Sequence, residues 1–374
     1  MKMNILITGG AGFIGSYVCK ALLKNNHHVI VLDNLDPQIH GENASWPTYM
    51  PEGTENHIGD VRDRELVRKL LSKSDAVIHL AAAVGVGQSM YKIEHYCSVS
   101  VMGTAILLEE IIPLKDRIKK IVVASSMSIY GEGLYKKQNG EFVMNPKTRS
   151  VQQMESGKWE LYDETDNEMI PLPTTEEKPL KPESIYAVNK RDQEEMVLSF
   201  GKAYKIPSVA FRMFNVYGAY QALNNPYTGV AAIFSNKLLN DEQPMVFEDG
   251  KQRRDFVHAE DVARAYVASI EKNGGDGLAM NLGSGQSISI AEIATSLARI
   301  LNKPIEPLIT NKFRDGDIRN CFSDISLIKE KLGWSPQWKF EDGVKTMTDW
   351  LIAEKENAKK TDSFEELKKM GLVK

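Results

Sequence analysis

The sequence predicts an α/β fold, in which helices flank a doubly wound parallel β-sheet and the C-terminal part adds a smaller mixed α/β lobe. Three observations support this prediction. Short, wholly apolar runs alternate with amphipathic segments up to about residue 125, as in repeated strand–helix–strand units. A glycine-rich turn follows the first apolar run directly. The 374 residues are 42% hydrophobic, which is enough for a large core.

The N-terminal elements follow this alternation in order. Strands are predicted at residues 3–8, 28–32, 75–80 and 119–125, and helices at 13–25, 63–72 and 101–112. Parallel strands buried on both faces should be almost continuously apolar, and these runs are. Residues 132–182 break the pattern because they are polar and have no sustained period. We predict a long insertion there, with a small hairpin near residues 159–162.

The second half begins with a long helix at 184–204. Further helices are predicted near 229–239, 259–272, 289–301, 324–332 and 340–357, and Ser289 and Glu292 form a capping box before the third of these. We assign residues 1–210 to a first domain that carries the insertion. Residues 211–374 are assigned mainly to a substrate-binding lobe that is interleaved with the sheet.

Composition narrows the class of protein. The net charge of −4 argues against nucleic acid as a partner. Cys19, Cys97 and Cys321 are odd in number and widely spaced, which argues against a disulfide framework or a cysteine-only zinc site. No run of about 20 apolar residues is recognised, so we expect no membrane span. These features predict a cytoplasmic protein without a metal.

The glycine-rich turn lies between the first strand and the first helix, at residues 8–15 (TGGAGFIG). Glycines at this spacing let a pyrophosphate approach the backbone, and the helix N-terminus then faces the phosphates. Asp33 ends the second strand, where a carboxylate accepts hydrogen bonds from the adenosine ribose and repels the extra phosphate of NADP. The pattern predicts bound NAD. The alternative is a plain glycine turn with a capping aspartate.

A tyrosine and a lysine lie four residues apart at the start of the long helix, as Tyr186 and Lys190. This spacing places both side chains on one helix face. An ammonium group beside a phenol lowers the phenol's pKa, so that the pair can remove a proton from a hydroxyl. Tyrosine and lysine four residues apart are also common on helix surfaces without any function. The glycine-rich turn upstream is what favours a catalytic role for this pair. Ser126, at the end of a predicted strand, could hydrogen-bond the reacting oxygen.

Together these motifs resemble the extended short-chain dehydrogenase/reductase family, whose sheet is of the Rossmann type, and specifically its members that modify nucleotide sugars. The resemblance covers residues 3 to about 351. It is carried by TGGAGFIG (8–15), DN (33–34), GDVRD (59–63), HLAA (79–82), SSMSIYG (125–131), YAVNK (186–190), FRMFNVYG (211–218), RRDFVHAEDVA (253–263), NLGSG (281–285) and RDGD (314–317).

The resemblance implies a role for each matching residue. Ser126, Tyr186 and Lys190 would be catalytic. The residues expected to contact NAD are Gly9, Gly12, Phe13, Ile14, Gly15, Asp33, Asn34, Asp60, Val61, Leu80, Ala81, Ala82, Tyr186 and Lys190. The residues expected to contact the nucleotide-diphosphate sugar are Ser126, Asn215, Arg254, Arg314 and Asp317. Paired guanidinium groups suit a diphosphate, although Arg253 and Arg254 could also be a solvated surface pair.

The implied reaction is inversion of a hexose at C4 through a 4-keto intermediate, with NAD unchanged at the end. The runs at 81–91, 125–135 and 221–234 look most like enzymes assigned as dTDP-L-rhamnose 4-epimerases. A UDP-glucose or UDP-N-acetylglucosamine 4-epimerase is the alternative, since a small Cys321 permits an N-acetyl group.

Other members of the family fit the sequence less well. A dehydratase would need Asp-Glu where Met127 and Ser128 stand, and a reductase would usually need NADPH, against which Asp33 argues. A non-catalytic nucleotide-binding protein would typically lack Tyr186 or Lys190. Family members pair through two helices, here 93–112 and 184–204, so we expect a homodimer.

Overall fold

Seven parallel strands form the central sheet of the computed structural model, which describes residues 2–42, 45–221, 229–314 and 316–354. They are β1 (Asn4–Thr8), β2 (His28–Asp33), β3 (Thr54–Ile58), β4 (Ala76–His79), β5 (Lys120–Ser126), β9 (Ser208–Met213) and β14 (Leu278–Leu282). Their order in the sheet is β14-β9-β5-β4-β1-β2-β3. Because the order reverses between β1 and β4, a crevice opens at the carboxyl ends of these two strands.

Thirteen α-helices are defined within the described residues. They are α1 (Phe13–Lys24), α2 (Pro37–His40), α3 (Arg64–Leu71), α4 (Val86–Ser89), α5 (Ile93–Tyr96), α6 (Gly103–Ile111), α7 (Val151–Glu155), α8 (Ile185–Tyr204), α9 (Val230–Leu239), α10 (Ala259–Glu271), α11 (Ile290–Ile300), α12 (Ser326–Leu332) and α13 (Phe340–Glu354). Helices α1, α10 and α12 cover one face of the sheet, and α3, α6 and α8 cover the other. The predicted doubly wound α/β fold is confirmed.

The features of the first half that were not predicted include an edge strand and a π-helical turn. Strand β3 (TENHI) forms one edge of the sheet, and its polar, half-exposed side chains give no apolar signal. The helix expected at 101–112 is part of a longer run, in which α5 and α6 are joined by a π-helical turn at Cys97–Met102. By length and composition alone, the helical run Ile93–Leu114 could cross a membrane, because an 18-residue stretch of it has a mean hydropathy of 1.6. Within that stretch, 44% of the residues are buried inside the protein. The expectation that no such run exists is therefore wrong.

The insertion at 132–182 forms a small antiparallel sheet. Its strands are β6 (Leu134–Lys136), β7 (Phe142–Val143) and β8 (Ile170–Leu172), in the order β7-β6-β8. The hairpin lies between β6 and β7 rather than near residues 159–162, where Tyr162 makes a single antiparallel bridge to Glu168. Tyr135, Leu161 and Met169 form an apolar cluster of the insertion's own.

The C-terminal lobe contains three small sheets and the remaining helices. Strands β10 (Asn215–Tyr217) and β13 (Phe256–His258) pair, as do β11 (Met245–Val246) and β16 (Leu308–Ile309), while β12 (Arg253–Arg254) lies between β15 (Ile288–Ser289) and β17 (Asn320–Cys321). The capping box of Ser289 and Glu292 is confirmed. The domain boundary at residue 210 falls within β9 and stays a prediction. Residues 355–357 of the last predicted helix, and 222–228 of the 221–234 run, lie outside the described residues.

Candidate active site

A cavity of about 460 Å³ lies at the carboxyl ends of the central strands. Every residue expected to contact NAD lines it, and so do Ser126 and Asn215. The loops after β1, β2, β4 and β5 and the start of α8 converge there because carboxyl ends of parallel strands share one edge of a sheet. The structure thus brings together residues that are up to 247 positions apart in the chain, from Gly9 to Phe256.

The glycine turn has the geometry of a phosphate cradle. Gly9 has a φ of +72°, and a Cβ atom there would lie 2.8 Å from the backbone nitrogen of Ala81. A Cβ on Gly15 would lie 2.5 Å from the carbonyl oxygen of Gly9, so α1 packs tightly on the turn. Gly12 caps α1 without a side-chain hydrogen bond, which leaves the first N–H groups of the helix free for an anion. The site therefore fits a pyrophosphate.

Asp33 is buried at the end of β2 and faces the same cavity. Its Oδ2 accepts the N–H of Ala11 and its Oδ1 accepts the N–H of Leu35, each at 2.9 Å. The imidazole of His40, which was not predicted, lies 3.9 Å from Oδ1, and burial lowers its pKa. A neutral imidazole offers no positive charge to a 2′-phosphate, so the pair favours NAD over NADP.

A buried polar cluster ties α8 to the cofactor side of the cavity. His79 accepts or donates hydrogen bonds with Thr8 Oγ1 at 2.7 Å and Thr104 Oγ1 at 2.9 Å. Gln193 of α8 donates to the carbonyl oxygen of Ala81 at 3.2 Å. Burial lowers the pKa of His79 to about 3, so this imidazole is neutral and serves as a structural link.

The three predicted catalytic side chains all face the cavity, from β5 and from the first turns of α8. Lys190 donates to the carbonyl oxygen of Ala124 at 2.9 Å, and burial lowers its pKa to about 7. Burial also raises the pKa of Tyr186, and its hydrogen bond with Ser126 offsets part of that rise. The expected net lowering of the tyrosine pKa is not seen in the protein alone, because desolvation of the phenolate outweighs the available partners.

A second buried polar cluster packs against β5, the strand that ends with Ser125 and Ser126. Ser125 donates to Glu194 of α8 at 2.6 Å, and Glu194 forms an ion pair with Arg212 of β9 at 2.6 Å. Arg212 also donates to the hydroxyl of Tyr130 at 2.9 Å, and that hydroxyl donates to Asn281 at 2.7 Å. These residues fall within quoted family motifs or on α8, but no sequence signal paired them.

The residues expected to hold the substrate are only partly brought together. Asn215 lines the cavity, and its Oδ1 is buried without a hydrogen-bond partner. Arg254 lies outside the cavity lining, and its Nη2 is 3.5 Å from Asp317 Oδ1. Arg314 is exposed, with its guanidinium 4.7 Å above the ring of Phe247. Arg254, Arg314 and Asp317 do not line this cavity, and their expected contacts with the nucleotide-diphosphate sugar stay a prediction.

No cluster of three or more His, Cys, Asp or Glu side chains that could bind a metal ion occurs in the described part of the chain. The predicted site is one for a dinucleotide and an organic substrate, and its donors fit that chemistry. The backbone N–H groups at α1 suit phosphate, and Asp33 suits a ribose.

Comparison with known proteins agrees with this site. The chain belongs to the NAD dependent epimerase/dehydratase family, whose match covers residues 5–283. It is 37% identical over 353 residues to a dTDP-L-rhamnose 4-epimerase of Burkholderia thailandensis, covering 94% of this chain and 95% of that protein. This identity over nearly the full length confirms the extended short-chain dehydrogenase/reductase resemblance.

Solved structures show the same architecture. The chain is similar to the UDP-glucose 4-epimerase of Thermotoga maritima with UDP-glucose, with a TM-score of 0.76 and 28% identity over 94% of this chain and 99% of that one. It is also similar to the UDP-glucuronic acid 4-epimerase of Bacillus cereus in complex with UDP-glucuronic acid and NAD, with a TM-score of 0.74, 28% identity and the same coverage.

Proposed function

We propose that this protein is an NAD-dependent 4-epimerase of a nucleotide-diphosphate sugar. One observation carries the proposal: Ser126, Tyr186 and Lys190 face the same cavity as the glycine cradle and Asp33. A dinucleotide seated on the cradle would end beside these three side chains. The chemistry that bound NAD would supply is removal of a hydride from C4 of the sugar and its return to the opposite face of C4. The chain's own residues must therefore bind, orient and exchange a proton.

Tyr186 is the proposed acid and base at the sugar's O4 atom. Ser126 is within hydrogen-bond reach of the phenol and would orient the same oxygen. Burial lowers the pKa of Lys190 to about 7, and its ammonium group donates to the carbonyl oxygen of Ala124. A positive charge there favours the phenolate needed to remove the proton. Inversion requires the keto sugar to turn in the site so that the hydride returns to the opposite face of C4, and Tyr186 would then return the proton to O4.

The nucleotide sugar is proposed to be dTDP-L-rhamnose, in keeping with the 37% identity to an enzyme of that name. The wall beside Ser126 supports a 6-deoxy sugar. Phe214 lines the cavity and packs with buried Met127 and Cys321. An apolar wall suits the methyl group of rhamnose better than the hydroxymethyl group of glucose. A UDP-glucose or UDP-N-acetylglucosamine 4-epimerase is the second candidate, supported by the similarity to the Thermotoga maritima enzyme.

The test is to incubate the purified protein with a panel of dTDP- and UDP-hexoses and to follow C4 configuration by proton NMR. Conversion of dTDP-L-rhamnose at a higher kcat/KM than any UDP-sugar supports the first candidate, and the reverse ranking supports the second. If no nucleotide sugar in the panel is inverted at C4 while NAD remains bound, the proposed reaction is wrong.

We further propose that the protein is a cytoplasmic homodimer. Ile93 and Met102, on the run before α6, expose 48% and 55% of their surface, and Val188 of α8 exposes 38%. The π-helical turn and α6 pack against α8, so these apolar side chains lie on neighbouring helices. Pairing of two copies would cover them in a four-helix arrangement. Light scattering at micromolar concentration should give twice the chain mass of 41.9 kDa. A monomer would contradict this assembly.

A further inference from the structure

The insertion reaches the C-terminal lobe through one buried carboxylate. Glu132 Oε2 accepts the backbone N–H of Arg319 at 2.7 Å, and its Oε1 accepts the N–H of Asn320 at 2.6 Å. The hydroxyl of Tyr135 also donates to Oε1, at 2.7 Å. The residue is only 6% exposed, and burial raises its pKa. Among the described residues, three donors and no acceptor contact the carboxylate, which is the arrangement that an ionised oxygen pair satisfies.

The same two peptide groups hold Arg254 from their other side. Arg254 Nη2 donates to the carbonyl oxygen of Ile318 at 2.8 Å, and Nη1 donates to that of Arg319 at 2.9 Å. The carbonyl of Ile318 and the N–H of Arg319 belong to one peptide group, and the next peptide group repeats the arrangement. Each therefore has Glu132 at its N–H and Arg254 at its C=O. A negative charge on the N–H side polarises both groups and strengthens their bonds to the guanidinium.

The rest of the insertion braces this segment. Arg149 forms a two-point ion pair with Glu248 at 2.8 and 2.9 Å and donates to the carbonyl oxygen of Asp317 at 2.9 Å. The side chain of Arg319 is completely buried and binds Glu248 at 2.9 Å and Asp249 at 2.7 Å. The backbone at 317–320 is thus fixed by charged groups on both sides. Such contacts suit a rigid support better than a mobile lid.

We propose that Glu132 is a positioning residue that orients Arg254 for the diphosphate of the nucleotide sugar. This inference rests on the proposed function and on the role that the family resemblance implies for Arg254, which is to bind that diphosphate. Glu132 contacts two peptide groups and would touch neither the sugar nor the cofactor. Because the guanidinium is held in place before the ligand arrives, less ordering is needed on binding. Glu132 should therefore affect the affinity for the nucleotide and leave the proton-transfer step at Tyr186 unchanged.

The test is the variant Glu132→Gln, which keeps the size of the side chain but replaces one acceptor oxygen by an NH₂ group facing a peptide N–H. We expect the Kd for the nucleoside diphosphate alone (dTDP and UDP, by calorimetry) and the KM for the nucleotide sugar to rise about tenfold, the effect of one charge-assisted hydrogen bond. The kcat and the NAD content should stay unchanged. The matched control is Lys158→Gln, which breaks an exposed ion pair with Asp166 in the same insertion.

A double-mutant cycle separates positioning from a general structural role. If Glu132 acts through Arg254, then Glu132→Gln should add nothing to the Kd of an Arg254→Met variant. Full additivity of the two changes, or an unchanged Kd in Glu132→Gln, overturns the inference. If Glu132→Gln does not fold, Tyr135→Phe replaces it in the cycle, since it removes one of the three donors. We then expect a rise in Kd of about threefold that also disappears with Arg254→Met.

Failure of the inference and failure of the proposed function give different results. A wild-type protein that binds neither dTDP nor UDP refutes the nucleotide-sugar function, and the role of Glu132 falls with it. A wild-type protein that binds one of them, with Glu132→Gln binding equally well, refutes only the positioning role.

Discussion

Arg149→Met should destabilise the protein although residue 149 lies in the polar insertion. The side chain of Arg149 is 1% exposed, as is that of its partner Glu248. Methionine removes the two-point pair and leaves the carbonyl oxygens of Asp317 and Trp159 without this donor. Breaking a buried ion pair typically costs about 3–5 kcal/mol. Glu248 keeps one bond to Arg319, so we expect the lower end, about 3 kcal/mol.

The measurement is thermal unfolding of the NAD-loaded protein. For 374 residues, an unfolding entropy of about 2.1 cal/mol/K per residue converts that loss into a drop in Tm of about 4 °C. The control Lys158→Met removes a solvent-exposed ion pair of the same insertion and should leave Tm unchanged. If both variants melt together with the wild type, the buried network does not hold the insertion and the reasoning from it is wrong. Replacing residues 136–176 by a short linker should be more damaging still, because Arg319 also loses Glu160.

Three further predictions concern the chemistry. Tyr186→Phe should lower kcat by at least about 10²–10⁴-fold with NAD content unchanged, whereas Ser126→Ala should cost less; a fully active Tyr186→Phe would show that another group is the base. Lys190→Met should move the rising limb of the pH–kcat profile upward, because the phenol of Tyr186, whose pKa burial already raises, loses a neighbouring positive charge; an unmoved limb would refute this role. Denaturing the wild type should release NAD, and near-stoichiometric NADP would show that Asp33 and His40 do not select the cofactor.

The central sheet and the cofactor side of the site were predictable because their determinants are local. Apolar runs mark β1, β2, β4 and β5, and the glycine spacing fixes the turn that contacts them. The carboxyl ends of parallel strands lie at the same edge of the sheet. Asp33 and Ser126, which end two of these strands, are therefore expected to lie near the same crevice. Strand β3 was not predicted because its residues are polar. It lies at a sheet edge and is defined by its pairing with β2 rather than by burial.

The substrate side was less predictable because its determinants are far apart in sequence. Glu132, Arg149, Glu248 and Arg319 span nearly 190 positions, and as charged residues they suggest a solvated surface. They are buried because each satisfies another, which no periodic pattern can reveal. The π-helical turn at Cys97–Met102 likewise packs against α8, a contact between residues far apart in sequence that no local pattern shows.

Two buried charge networks therefore flank the proposed site, and their positions assign them different tasks. The pair of Glu194 and Arg212 supports the strand of Ser126, next to the reacting groups. The Arg319–Glu248 ion pair and the carboxylate of Glu132 support the backbone at 317–320, whose carbonyl groups accept hydrogen bonds from Arg254. Buried ion pairs rarely stabilise a protein more than apolar residues of the same shape would. Stability alone therefore does not explain why both charge networks are present. If the two networks position functional groups, weakening the one beside Ser126 should lower kcat. Weakening the one that supports Arg254 should raise KM.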